Sequence, residues 1–224
     1  MAQPKKMGDL DLMRHLMDQG MFPKAGFSIN LPIPVIADLL LQFYKHQVET
    51  RLRSFIPTPE LNSQILQIAQ ILGTPSHRFA IILMGTYGNG KTTMMYAIRS
   101  LIHFVYLKCH DAMAHLKPFN TSIPIISAKN MVKEIMDGTH TYRLEDMIMI
   151  DDWGSEPAEI VHYGMKYTPI IDLIEARYAR MQYTILSTNM TFKDIRPRYT
   201  HRCADRLEEM AHVVQFNGDT FRCL

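Results

Sequence analysis

The rhythm of apolar positions changes near residue 74. Over residues 35–55, Ile36, Leu40, Phe43, Val48, Leu52 and Phe55 recur at the three-and-four spacing of one helical face, which predicts a long amphipathic helix. Thr58 and Pro59 then read as an N-cap followed by proline at the first helical position. Ile65, Ile68, Ala69 and Leu72 continue that second helix, and Gly73 is placed to end it. Before residue 30 the periodicity is weak, and Gly20, Pro23 and Gly26 break it, so this stretch is either a flexible arm or one short helix. After Thr74, short apolar runs at 79–84, 123–127, 147–150, 183–187 and 213–216 alternate with helical stretches. Continuous apolar runs of this length suit strands buried on both faces, so the pattern predicts an α/β fold with a central parallel five-stranded sheet between helical layers. The expected division is a helical N-terminal extension over 1–74 and an α/β domain over 75–224.

Composition changes this picture little. With 47% hydrophobic and 21% charged residues among 224, the chain can bury a full core. Seventeen methionines are assigned to core packing, since an unbranched thioether fills irregular gaps. A net charge of +2 excludes polyanion binding by global electrostatics, so any nucleic-acid surface must be local. Cys109, Cys203 and Cys223 are odd in number and form no CxxC pair, which fits a reducing compartment. No apolar run reaches the roughly 18 residues of a spanning helix. The expectation is a soluble, cytoplasmic protein with no membrane partner.

Chemistry concentrates where the first apolar run ends. Gly85, Thr86, Tyr87, Gly88, Asn89, Gly90, Lys91, Thr92 and Thr93 match GxxxxGK[ST] between a predicted strand and a predicted helix. Glycines let the backbone bring its N–H groups around phosphate oxygens, and the following helix points its positive end at the same anion. Lys91 supplies a full charge for the outer phosphates, and the Thr92 hydroxyl suits magnesium.

A second site-forming run is MIMIDDWGSE, residues 147–156, where an apolar strand ends in acids. Carboxylates at a strand tip face the edge where ligands bind in parallel sheets. Asp151 is the candidate metal ligand, and Asp152 the candidate to polarise a water for attack on a terminal phosphoryl group. Glu156 is a lesser candidate for that second role. In TILSTNM, residues 184–190, another strand ends in Ser187, Thr188 and Asn189, and Asn189 is the candidate to hold the water or the terminal phosphate. Residues 193–206 hold five basic and two acidic residues. Arg202 and Arg206 are four apart, on one face if 203–210 is helical. They could serve a neighbouring subunit's nucleotide, contact nucleic acid, or pair with surface acids. Cys109, His110 and His115 lack the further ligand pair that a zinc site needs.

Taken in order, GTYGNGKTT, IDDWGSE, ILSTN and RYTHRCADRLEEMAHVVQFNGDTFR resemble the DnaC/IstB group of AAA+ ATPases, the replicative helicase loaders and transposition helpers, over residues 79–222. The resemblance implies a P-loop NTPase three-layer sandwich, with ATP and Mg2+ as cofactors. It further implies a homo-oligomer in which an arginine finger acts in trans. The family's Asp-Arg-Leu triplet places that finger at Arg206, with Arg202 a weaker second candidate, and a nucleotide-sensing arginine falls on Arg222. Partners implied are a replicative helicase and single-stranded DNA, or alternatively a transposase and duplex DNA. The chain's end near Arg222 leaves no separate C-terminal lid domain in this expectation. Within the extension, the amphipathic helix either docks on a partner or caps the ATPase core.

Overall fold

A computed structural model of the chain describes residues 27–108, 123–139, 147–162 and 164–217. Two helices come first, α1 (Ile33–Glu49) and α2 (Pro59–Gly73), then β1 (Ala80–Gly85) and α3 (Lys91–Lys108). There follow β2 (Ile125–Ser127), α4 (Ala128–Asp137), β3 (Ile148–Trp153), a hairpin of β4 (Ile160–His162) and β5 (Met165–Tyr167), and α5 (Pro169–Ala179). The described chain closes with β6 (Thr184–Thr188), α6 (Phe192–Arg198), α7 (His201–Met210) and β7 (Ala211–Phe216).

Five strands form one sheet in the order β2-β3-β6-β1-β7, each neighbouring pair parallel. The runs read as buried strands are these five. Ala80 to Leu83 and Ile148 to Ile150 are fully buried, as expected of a sheet covered on both faces. Helix α3 packs on β1 and β6, α1 packs on α3 and α2, and α2 packs on β7. A second group joins α4, α5, α6 and α7, with α4 against β3 and α7 against β7. The result is the predicted three-layer α/β sandwich.

Local chemistry sets several element ends. The Thr58 hydroxyl accepts from Leu61 N at 3.1 Å to cap α2, and the Thr200 hydroxyl caps α7 through Cys203 N at 3.0 Å. Gly138 closes α4 in the left-handed region at φ 66°. The first helix is shorter than its apolar periodicity predicts, for it stops at Glu49. There Thr50 N and Thr50 Oγ1 both donate to His46 O, and Arg51 Nη1 donates to Gln47 O, so the last-turn carbonyls are satisfied without further helix. Leu52 then takes φ 56° and lies in solvent, while Phe55 folds back against the Tyr44 ring at 6.4 Å. Phe55 thus keeps a core contact at the right spacing for the wrong reason.

Both N-terminal helices belong to the same apolar cluster as the sheet: Ile36, Leu40, Leu61 and Ile68 are at most 2% exposed. The expected arm or short helix before residue 30, and the Cys109, His110 and His115 group, lie outside the described residues apart from 27–29, where Phe27 and Ile29 are buried.

Candidate nucleotide site

The loop between β1 and α3 is shaped by its glycines. Gly88 and Gly90 take φ of 83° and 88°, where an L side chain is strained. Gly85 is needed for a different reason: a Cβ there would lie 2.2 Å from the Phe216 carbonyl oxygen on β7. Lys91 opens α3 and turns its ammonium back over the loop, donating to Gly85 O at 2.8 Å, Thr86 O at 2.5 Å and Asn89 Oδ1 at 3.1 Å. The buried Asn89 amide also donates to Phe216 O, tying the loop to β7. Thr86 and Tyr87 are exposed at the loop's tip, and Thr92 and Thr93 are half-buried on the first turn of α3.

Opposite this loop, β3 does not end where its apolar run ends. Ile150 pairs with Leu186 but Trp153 pairs with Thr188, so β3 carries one residue more than β6 between these pairs. The extra residue is accommodated at Asp151 and Asp152, and Asp152 takes φ 52°, which is uncommon for a residue with a side chain. Strain of this kind costs about 1–3 kcal/mol and persists only where neighbours hold it. Here the holder is Ser187: its hydroxyl donates to Asp151 Oδ1 and accepts from Asp152 N at 2.9 Å. On the other side of Asp151, the Thr92 hydroxyl lies 3.1 Å and 3.0 Å from its two carboxylate oxygens.

A cavity of about 360 Å³ opens over the loop and is lined by Lys91, Thr92, Asp152 and Asn189 together with residues of the α1–α2 connection. That volume lies within the range for small-molecule sites. Asn189 Oδ1 is buried and has no hydrogen-bond partner among the described residues, so this edge of the cavity presents an acceptor that lacks a donor. The donor set fits magnesium, because a hydroxyl and a carboxylate are hard oxygen ligands and they already converge. It fits a polyphosphate equally, because the loop offers backbone N–H groups and Lys91 at a helix N-terminus.

Glu156 has another place than the water-facing one considered from sequence. Its side chain is 1% exposed; Oε2 accepts from Gly154 N at 2.8 Å and Oε1 from the Tyr199 hydroxyl. The carboxylate therefore braces the loop that follows Asp152. Burial and the bond to Glu156 push the Tyr199 phenol well above its ordinary range, so it remains a donor. Trp153 stacks on the Tyr199 ring at 4.9 Å.

The basic run near the end of the chain is largely engaged within the chain. Arg196 bridges Asp205 and Glu208 at 2.7 Å each, and Arg198 donates to Glu156 O. Arg202 and Arg206 do share a face of α7, and both reach Glu175 on α5, at 3.3 Å and 3.0 Å. Arg206 also lies over the Tyr178 ring at 4.9 Å and is not among the residues lining the cavity. Arg222 lies outside the described residues. Sequence reading passed over Ser187 as a site residue, although its place at a strand tip beside Asn189 was a signal, and it passed over Arg51 and Arg53, which line the cavity.

No family model and no curated protein matches the chain. Among solved structures, a crystal structure of the DnaC helicase loader is similar with a TM-score of 0.52 at 17% identity, over 79% of this chain and 99% of that one. DnaI is similar with a TM-score of 0.45 at 15% identity, over 81% of this chain and 82% of that one. AMPPCP-bound DnaA from Aquifex aeolicus gives 0.48 at 18% identity, over 78% of this chain and 51% of that one. Identities this low bear on fold alone: with its GxxxxGKT loop and strand order β2-β3-β6-β1-β7, the chain shares the P-loop α/β sandwich fold of that DnaC structure. No helix among the described residues is long and apolar enough to cross a membrane.

Proposed function

We propose that this chain is a Mg2+-dependent ATPase that acts as a DnaC-like loader, helping a replicative DNA helicase engage single-stranded DNA. The observation that carries the ATPase reading is the meeting of Thr92, Asp151 and the strained Asp152 beside a glycine loop whose lysine faces inward. Residues 85–93 cradle the phosphates through backbone N–H groups, and Lys91 exchanges its loop carbonyl partners for the outer phosphates. Thr92 and Asp151 hold the metal, which when bound neutralises charge on the phosphate oxygens. Asp152 accepts the proton of the attacking water, and Asn189 orients that water through its unpartnered oxygen.

Arg206 is assigned as the arginine finger of a homo-oligomer, acting on the neighbouring subunit's nucleotide, with Arg202 as the weaker candidate. In that role it exchanges Glu175 for a phosphate, so turnover by a monomer is slow. Where measured in GTPases, such a finger is worth roughly 10³–10⁵ in rate. Arg222 is assigned to nucleotide sensing. The fold likeness to a helicase loader supports the choice of partner. Helices α1 and α2 of the extension cap the ATPase core with their buried faces, and the faces they leave exposed are assigned to docking.

The test is ATP turnover with and without single-stranded DNA and the hexameric replicative helicase of the same host. Stimulation by both is expected, with Lys91→Ala losing nucleotide binding and Arg206→Ala keeping binding but losing oligomer-dependent turnover. Turnover indifferent to helicase and single strands, but raised by duplex DNA with a transposase, would overturn the loader reading in favour of a transposition helper.

A further inference from the structure

The nucleotide cavity has a second cationic wall. Besides residues 87–90 of the glycine loop, the cavity is lined by the short connection between α1 and α2, which contributes Arg51, Arg53, Phe55 and Ile56. Leu52, between the two arginines, turns through φ 56° and is 96% exposed, whereas both of its neighbours line the cavity. A left-handed residue with a γ-branched side chain is disfavoured by about 1–2 kcal/mol, so this turn is held in place by its surroundings.

Those surroundings are visible for Arg51. Its Nη1 donates to Gln47 O at 2.7 Å, and its guanidinium lies 5.3 Å from the centre of the Tyr96 ring on α3, the helix that begins with Lys91. Arg99 lies over the same ring at 4.9 Å. Arg51, though exposed, thus spans from the end of α1 to α3. Arg53 has no hydrogen-bond or ion-pair partner among the described residues.

Charge shows what this wall faces. Among the described residues lining the cavity, Arg51, Arg53 and Lys91 are cationic and Asp152 alone is acidic. The surplus is two positive charges; Arg51 and Arg53 are exposed, so water and salt screen part of their repulsion, and an anion held in the cavity would relieve the rest. A nucleoside triphosphate with one divalent cation carries roughly two negative charges near neutral pH. The Arg guanidinium, planar and permanently charged, is the side chain best matched to phosphate oxygens.

From this we infer that Arg53, supported by Arg51, contacts the polyphosphate held by the glycine loop, so that the α1–α2 connection is a direct nucleotide sensor within the same chain. The inference rests on the ATP reading above and deepens it. It also gives the N-terminal helices a physical route to the nucleotide: a ligand that pulls on Arg53 pulls on the segment joining α1 to α2.

The test is calorimetric titration of the full chain with a non-hydrolysable ATP analogue and magnesium, at about 50 mM and about 500 mM salt. Wild type, Arg53→Ala, Arg53→Lys, Arg51→Ala and Lys91→Ala are compared. We expect Arg53→Ala to weaken binding roughly threefold to tenfold, as for a charge-assisted contact that stays partly hydrated. Arg53→Lys should recover most of that loss, and the loss should shrink at the higher salt. In parallel, the analogue should slow tryptic cleavage after Arg53 in the wild type. Wild-type affinity in Arg53→Ala would overturn the inference while leaving the ATP reading intact. So would a loss that lysine does not recover and salt does not change, because that outcome assigns the guanidinium to the base. Absence of binding by folded wild-type protein would instead refute the ATP reading itself.

Discussion

The buried Glu156 carboxylate is held by two donors, Gly154 N and the Tyr199 hydroxyl. Tyr199→Phe keeps the ring that stacks on Trp153 at 4.9 Å but removes the hydroxyl that donates to Glu156 Oε1. The carboxylate is 1% exposed, so water cannot easily replace the lost donor, and one described partner remains for its side chain, Gly154 N at 2.8 Å. Loss of a buried hydrogen bond to a charged acceptor costs about 1.5–3 kcal/mol. For a chain of this size each kcal/mol lowers the melting midpoint by about 2–4 °C, so Tyr199→Phe should melt about 3–12 °C below wild type. Glu156→Gln removes the charge but keeps an acceptor, and should cost about half as much. The two changes meet at one bond, so the double variant should lose less than the sum, with a coupling of about 1 kcal/mol. The assay is urea unfolding followed by the fluorescence of Trp153, the chain's only tryptophan, which lies inside the network being cut. A Tyr199→Phe variant within about 0.5 kcal/mol of wild type, or strictly additive losses, would refute the claim that this network holds the loop after Asp152.

Two further outcomes follow from single positions. Gly85→Ala places a methyl group 2.2 Å from the Phe216 carbonyl oxygen, whereas at Gly138 nothing lies within 4 Å. Denaturation should show Gly85→Ala to be destabilised by about 1–3 kcal/mol and to have lost nucleotide binding, whereas Gly138→Ala, which costs only the strain of its left-handed backbone, should bind normally; normal nucleotide binding by Gly85→Ala would contradict the close approach of the loop to β7. His212 is held below its ordinary pKa by burial, then by Arg78 and His77, while its Nε2 lies 3.1 Å from the Ser76 hydroxyl. Because the unfolded chain binds that proton more readily, the associated stability is present above the ordinary histidine value of about 6.5 and is lost as pH falls through the lowered folded value. Melting curves between about pH 7 and pH 5 should therefore be flatter for His212→Gln than for wild type; parallel curves would count against it.

Much of this architecture is legible in the sequence because it is local. A buried parallel strand announces itself as a run such as AIILM, and a glycine loop with Lys91 has few other uses between a strand and a helix. Caps at Thr58 and Thr200 are equally short-range. What sequence could not give are contacts across long separations. The extra residue in β3 is visible only once β6 is laid beside it, and the bond from Ser187 to Asp151 spans 36 positions. The tie from Asn89 to Phe216 spans 127 positions. Glu156 reads as an acid near an active edge, and only packing of α6 against that loop shows it buried beneath Tyr199. Periodicity misled at the end of α1 because Phe55 reaches the core from a loop, and that misreading also concealed the arginines lining the cavity.

The proposed function requires a magnesium-bound triphosphate in the space between the glycine loop and the Asp151–Asp152 bulge. Calorimetric titration of the folded chain with a non-hydrolysable ATP analogue, with magnesium and then with a chelator in its place, tests this most directly. Saturable one-to-one binding that weakens without magnesium, is lost in Lys91→Ala and becomes insensitive to magnesium in Asp151→Asn is the expected result. Folded protein that releases no heat with the analogue, or binds it equally well with and without the metal, would contradict the account.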